Sequence, residues 1–171
     1  LGPEVLELLV ALKDEYPDKF LWIELGLQTI HEESARYIRR GYPLSCFEKA
    51  CSDLRTLQIP FIVHTILGLP GETDIQILQT MDYLNHIAPF GIKLQLLHVL
   101  KDTDLAEDYR NGRFEVLTLD HYLDLVISCL AHLSPDIVIH RVTGDGPKDL
   151  LIAPAWSLDK RNVLNSLHHR M

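Results

Sequence analysis

Short apolar runs alternate along the chain with stretches of helical periodicity. From Pro3 to about Tyr16, Val5, Leu9, Leu12 and Tyr16 recur at helical spacing, and Leu21-Trp22-Ile23-Glu24-Leu25 then predicts a strand. Glu32 to Arg40 predicts a short helix, stopped by Gly41 as its C′ residue. Ser45 and Glu48 have the spacing of a capping box and open a helix to about Leu57. Pro60 to Leu67 is β-rich and apolar except for His64 and Thr65. After Gly68-Leu69-Pro70-Gly71, Thr73 and Gln76 make a second capping box, and Ile77, Met81 and Leu84 line one face of its helix. Gly91 to Leu97 predicts the third strand, Thr103 to Arg110 a short helix ended by Gly112, and Asp120 to Leu133 an amphipathic helix. Ile137 to Val142 predicts a fourth strand, Thr143 to Asp149 a Gly/Pro-rich loop, and Asp159 to His169 a last helix.

This alternation is the pattern of repeating βα units around a parallel sheet. Residues 1–171 read as a single α/β domain, with βα units over 1–100 and the last strand and an extension over 101–171. Four βα units do not close a full barrel, so the sheet is open or belongs to a larger barrel. The start, Leu1-Gly2-Pro3-Glu4, is neither an initiating Met nor a secretory signal and favours the second, as a cut inside a longer polypeptide.

Composition narrows the function classes. The 171 residues are 47% apolar and 23% charged, the balance of a soluble globular protein, and no apolar run is long enough to span a bilayer. The net charge of -8 speaks against a general nucleic-acid binder. The cysteines, Cys46, Cys51 and Cys129, fit no common zinc or redox spacing and predict reduced thiols in the cytoplasm.

In parallel α/β folds ligands bind at the C-terminal ends of the strands. The predicted ends bring Glu24, Gln28, His64, His98, Lys101, Arg141 and Asp145 to one rim, beside glycines that admit a ligand to the backbone. Gln28 both donates and accepts, as ribose hydroxyls require, and Arg40 suits a carboxylate. The bland alternative is a rim of strand-end polar residues that only meet solvent, and for Arg39-Arg40 a helix end meeting its own dipole.

Several stretches carry a family resemblance. Glu-Leu-Gly-Leu-Gln-Thr (24–29), Arg-Arg-Gly-Tyr (39–42) and His-Thr-Ile-Leu-Gly-Leu-Pro-Gly-Glu (64–72) resemble the barrel of radical S-adenosylmethionine (radical SAM) enzymes. The nearest groups are the elongator catalytic subunit and oxygen-independent coproporphyrinogen oxidase. Gly-Ile-Lys-Leu-Gln-Leu-Leu-His-Val-Leu-Lys-Asp-Thr (91–103), His-Arg-Val-Thr-Gly-Asp-Gly-Pro-Lys-Asp (140–149) and Leu-Ile-Ala-Pro-Ala-Trp (151–156) resemble a bacterial radical SAM family related to the elongator subunit.

The resemblance implies the C-terminal portion of a partial, TIM-like (β/α)6 barrel with a C-terminal extension. It implies that Gln28 binds the SAM ribose, that Arg40 holds the methionine carboxylate and that His64 lies near the ribose. Ile66 and Gly68, with Gly71, belong to the stretch beside the adenine, and Leu97 and His98 offer backbone contacts to it. Lys101, Arg141 and Asp145 are substrate-side candidates, with a salt-bridged loop as the bland alternative for the last two.

The family holds a 4Fe–4S cluster through a Cys-x3-Cys-x2-Cys loop upstream of the part matched here; thiolates are the usual cluster ligands. No such spacing occurs in this chain, so its cofactors are expected to be SAM here and the cluster in the intact protein only. The intact protein is then expected to cleave SAM to a 5′-deoxyadenosyl radical acting on an unknown substrate, while the fragment alone is inactive. A tRNA substrate is suggested by kinship with elongator alone.

The alternatives are a non-catalytic SAM-binding or protein-interaction module, and a fragment of an aldolase-type barrel, which Lys93 and Lys101 fit badly. His31-Glu32-Glu33 lacks the second histidine of a zinc site, since residue 35 is Ala, and Gly144-Asp145-Gly146 lacks the third glycine of a dinucleotide loop. No metal ligand is assigned, and no membrane contact is expected. A half-barrel leaves a sheet edge open to self-association.

Overall fold

The computed structural model describes residues 1–144 and 146–171. Helix α1 (Pro3–Glu15) leads into strand β1 (Ile23–Gln28), followed by α2 (Glu32–Tyr37), α3 (Leu44–Thr56), β2 (Phe61–Leu67) and α4 (Asp74–Ile87). Strand β3 (Gly91–Leu96), the short β4 (Val99–Leu100), α5 (Asp104–Arg110), α6 (Leu119–His132) and β5 (Val138–Arg141) come next. The chain ends with β6 (Leu151–Ala153) and α7 (Lys160–Arg170). Strands β1, β2, β3 and β5 form one parallel sheet in that order, the α/β architecture expected from the alternating pattern. Its two outer strands, β1 and β5, each pair on one side only among the described residues. No helix among them is long and apolar enough to cross a membrane.

The two faces of the sheet differ because strand side chains alternate. Phe61, Val63 and Leu67 of β2 and Ile92, Leu94 and Leu96 of β3 are buried in one core cluster with Phe47 and Leu54 of α3, Ile77, Met81 and Leu84 of α4, and Tyr122, Leu123 and Val126 of α6. The opposite face carries Glu24, His64, Ile66, Lys93 and Gln95, each only part-buried or exposed. Tyr122 is 1% exposed, and its hydroxyl donates to Val142 O at 2.6 Å, which satisfies the polar end of a core aromatic.

Local signals held where both partners were local. Thr73 and Gln76 form the reciprocal capping box of α4. The Ser45/Glu48 capping box does not form: α3 starts at Leu44, and the Leu44 N–H donates to Glu32 Oε1, at 2.8 Å, from another helix. Helix α2 stops at Tyr37, and the chain turns at Arg39 (φ 55) before it reaches Gly41 (φ 84), so Gly41 is not its C′ residue. The expected loop at 143–149 runs into a 3-10 turn at Lys148–Leu150. Strands β4 and β6 pair antiparallel in a small second sheet that the pattern does not predict. Around them Val99, Ala106 and Ala153 make a minor core with Tyr109, Phe114 and Ile152.

Candidate functional site

The end of β1 is built for a special backbone. Gly26 pairs with His64 and Gln28 with Thr65, so the register slips across Leu27. Gln28 takes a left-handed φ of 60, which costs a non-glycine residue roughly 1–2 kcal/mol. The loop after α2 supplies the brace. Arg40 Nη1 donates to Leu27 O at 3.2 Å and to Thr29 O at 2.8 Å, while Nε donates to Tyr42 O at 2.9 Å. Its Nη2 meets Glu32 Oε1 at 2.8 Å, and its side chain is 1% exposed. The Glu32 carboxyl is held below the ordinary carboxylate range, first by the Leu44 N–H and then by Arg40. Tyr42 Oη donates to Gly26 O at 2.5 Å.

A Cβ at residue 26 would lie 2.5 Å from Gln28 Nε2 and 3.0 Å from Tyr42 Oη, so glycine there is what lets the Gln28 amide fold across the strand. Gln28 Oε1 is buried without a hydrogen-bond partner among the described residues. A buried, unpartnered amide oxygen is costly, by about 1–3 kcal/mol, and a bound ligand or water that donates to it would offset that cost.

Gln28 lies in a cleft of about 760 Å3, a size within the range of small-molecule and cofactor sites. One wall is Gln28, Arg39, Arg40 and Tyr42; Ile66, Leu69 and Leu97 form the strand-end floor; Asp102, Thr103, Asp104, Leu105 and Asp108 close the far side. Two polar contacts join the walls: Arg39 pairs with Asp104, and Tyr37 Oη donates to Asp108 Oδ2 at 2.6 Å. Burial and the Asp108 carboxylate both push the Tyr37 hydroxyl above its usual pKa.

The predicted site residues therefore divide. Gln28, Arg40, Ile66 and Leu97 converge on the cleft. Gly68 (φ 83) packs against Leu117, whose Cδ1 would lie 2.9 Å from an added Cβ. His64 belongs to a separate polar network on the open face of the sheet. The Gln95 amide donates to His64 Nδ1 at 2.9 Å, and His64 Nε2 donates to Glu24 Oε2 at 2.6 Å. Lys93 Nζ grips both oxygens of that carboxylate at 2.6 Å. The Lys93 hydrogen bond, opposed by burial and aided by His64, holds the Glu24 carboxyl at a pKa of about 2.

Glu24 is thus not at the rim. The strand starts at Ile23 and continues to Gln28, which sets Glu24 about 13 Å below the strand end at the usual rise per residue. His98 follows Leu97 but lines a different cavity, against Gly144 and Gly146. Lys101 Nζ donates to Asp149 O at 2.7 Å and ties the two small strands together. Arg141 ends β5 beside Lys93, and Asp145 lies outside the described residues. The α5 helix carries no sequence signal of a site, whereas Lys93 and Gln95 sit inside the 91–103 stretch and Tyr42 inside the Arg-Arg-Gly-Tyr stretch.

The residues present match part of an adenosyl ligand, with an unpartnered amide oxygen for hydroxyl donors and apolar floor residues for a base, whereas the Arg40 guanidinium is already bonded to four acceptors and Arg39 is paired with Asp104. They do not fit an iron–sulfur cluster. Among the described residues no group of three or more His, Cys, Asp or Glu could hold a metal ion. Cys51 and Cys129 are buried, and burial pushes each thiol up to about 12.

Comparison with known proteins gives the family. The model of the Radical SAM superfamily matches residues 1–84, and that of the Radical_SAM C-terminal domain matches residues 89–171. The chain is 36% identical to YtqA of Bacillus subtilis over 171 residues, which is 100% of this chain and 52% of that protein. It is 32% identical to YhcC of Escherichia coli (strain K12) over 152 residues, 89% of this chain and 48% of that protein. It spans about half the length of these curated relatives. Human Elongator complex protein 3 is 27% identical over 134 residues, 75% of this chain and 24% of that protein. The solved structure of Elp3 from the archaeon Methanocaldococcus infernus superposes with a TM-score of 0.71 at 16% identity, covering 88% of this chain and 36% of that one. Two family models that meet end to end along the chain, on a parallel sheet shared with Elp3, make one conclusion plain: the chain belongs to the radical SAM superfamily.

Proposed function

We propose that the cleft beyond β1, β2 and β3 binds S-adenosylmethionine, and that the intact protein pairs it with a 4Fe–4S cluster held by residues outside this chain. The bound pair would supply a 5′-deoxyadenosyl radical that takes hydrogen from a further substrate. Superfamily membership supports the cofactor pair in general terms. The observation that carries the SAM site is Gln28, whose buried amide oxygen lacks a partner in a wall held rigid by Arg40 and Tyr42.

In this reading the protein's own groups bind and orient. Gln28 accepts from a ribose hydroxyl, and Ile66 and Leu97 flank the adenine. Arg40 meets the methionine carboxylate with the donor capacity that its braces leave. The resemblance keeps His64 near the ribose and places Gly68 and His98 along the adenine stretch, while Lys101, Arg141 and Asp145 remain its substrate-side residues. A tRNA substrate rests on the likeness to Elongator complex protein 3 alone. A cytoplasmic location and self-pairing through the open β1 edge are further expectations.

The test uses the full-length protein, reconstituted anaerobically with iron and sulfide, given SAM and a reductant, and assayed for 5′-deoxyadenosine. Product that falls roughly tenfold or more in Gln28→Ala supports both the chemistry and the site. No cluster and no product in a folded protein would sink the enzyme reading and leave a SAM-binding or interaction module, which equilibrium binding of SAM would then identify.

A further inference from the structure

Two residues of one short turn take the main-chain acceptors around Gln28. Tyr42 Oη donates to Gly26 O at 2.5 Å, while Arg40 Nη1 donates to Leu27 O at 3.2 Å and to Thr29 O at 2.8 Å. Arg39 and Gly41 take left-handed φ values of 55 and 84, and this turn carries both side chains back over the end of β1. Arg40 also fixes Tyr42 itself. Its Nε donates to Tyr42 O at 2.9 Å, and its Cζ lies 5.4 Å from the centre of the Tyr42 ring.

The Gln28 amide lies beside these acceptors and bonds none of them. Its Nε2 sits 2.5 Å from the place a Cβ of residue 26 would take, and Tyr42 Oη lies 3.0 Å from the same point. Amide and hydroxyl therefore share the space that glycine leaves open, and the hydroxyl has the carbonyl. The Gln28 side chain makes no hydrogen bond with the described residues, although its Oε1 is buried. Buried amides ordinarily find a partner. Here the carbonyls of residues 26, 27 and 29 are occupied by a phenol and a guanidinium, which leaves the amide its full capacity.

On the reading that the cleft binds S-adenosylmethionine, we infer that Tyr42 is a positioning residue for the ribose: its hydroxyl occupies the Gly26 carbonyl and so keeps the Gln28 amide unpaired for the ligand. Without that hydroxyl, Gly26 O is vacant and Gln28 Nε2, on the same side of the strand, is the donor that takes it. The amide is then satisfied within the protein, and a ribose must break that bond before it gains its own. An internal hydrogen bond of ordinary strength weakens binding in this way by roughly threefold to tenfold. Tyr42 is the residue on which to test this. Tyr42→Phe removes one oxygen from a side chain that is 38% exposed and keeps the ring beside Arg40. Arg40 is 1% exposed and braces the loop as a whole, so its loss would disturb far more than the amide.

The test is a double-mutant cycle on SAM affinity, measured by equilibrium dialysis with the full-length protein reconstituted as above and given no reductant. Tyr42→Phe should weaken SAM roughly threefold to tenfold in the unaltered background. In a Gln28→Ala background it should change affinity by less than about twofold, because the amide through which it acts is gone. A loss of the same size in both backgrounds would mean that Tyr42 acts on the fold or on the ligand by itself, and overturns the proposal. Unchanged affinity in Tyr42→Phe, where Gln28→Ala binds more weakly, overturns it too. So does a Gln28→Ala variant that binds as tightly as the unaltered protein. If the unaltered protein binds no SAM, the reading of the cleft as a SAM site fails, and the role of Tyr42 fails with it.

Discussion

Arg40 holds both carbonyls that flank Gln28: its Nη1 reaches Leu27 O at 3.2 Å and Thr29 O at 2.8 Å. The left-handed peptide of Gln28 and the burial of Arg40 are therefore two sides of one arrangement. A strained residue persists where its surroundings over-determine it, and here a guanidinium does so.

Replacing Arg40 and replacing Gln28 should consequently have opposite effects on stability. Arg40→Ala removes charged hydrogen bonds from a side chain that is 1% exposed and should cost about 3 kcal/mol. Gln28→Ala relieves an unpartnered buried oxygen and should be neutral or stabilising by up to about 1 kcal/mol. Urea unfolding of the two variants measures both. A destabilised Gln28→Ala would mean that the amide is already satisfied in the free protein.

Gly68→Ala should destabilise without touching the cleft. The φ of 83 disfavours any side chain, and Leu117 Cδ1 would sit 2.9 Å from the new methyl group. A loss of roughly 1–2 kcal/mol from the backbone alone is expected. A shift in the denaturation midpoint at unchanged slope checks it.

Acid should reveal the Lys93–Glu24 pair. The folded carboxyl titrates at about 2 against an ordinary 4.5. A depressed pKa stabilises the fold above the ordinary value, and that stability is lost as the pH falls from about 4.5 toward 2. Lys93→Met should flatten this part of the profile in melting temperatures recorded between those limits. An unchanged profile would show that the pair does not govern it.

Thiol labelling should separate the cysteines. Cys46 is exposed, whereas Cys51 and Cys129 are buried with thiols pushed up to about 12. Iodoacetamide at mildly alkaline pH should modify Cys46 alone in the folded protein, and all three cysteines after denaturation, as read by mass spectrometry. Rapid native labelling of Cys129 would contradict the packing of α6.

What the sequence conveyed depended on the range of each interaction. The Thr73/Gln76 box is legible because both partners lie within one turn. The Ser45/Glu48 pattern misleads because a distant carboxylate, Glu32, takes the first N–H of the helix, and Glu48 instead accepts from Tyr83. The apolar run at 21–25 marks β1, but its end was fixed by Arg40 and Tyr42 closing over Gln28, which no periodicity records. Gln28, Arg40, Ile66 and Leu97 stand in the motifs that resemble the family, and all four line one cleft. The pattern expects His64 at the rim with Glu24, whereas its partners on the two neighbouring strands, Glu24 and Gln95, hold it within the sheet. The aspartates of α5 were invisible, since nothing local foretells which helix will face a strand end.

The pairing of Val99 with Ala153 and of Leu100 with Leu151 closes a long loop that contains α5, α6 and β5. On a ribosome, Ala153 emerges long after the cleft floor at Ile66 and Leu97 has been made. The wall carrying Asp104 and Asp108 is pinned from behind by that late strand, so the pocket acquires its final outline only when synthesis of this region is nearly complete. A chain released early would keep the core of the parallel sheet yet present its cleft without a fixed outer wall.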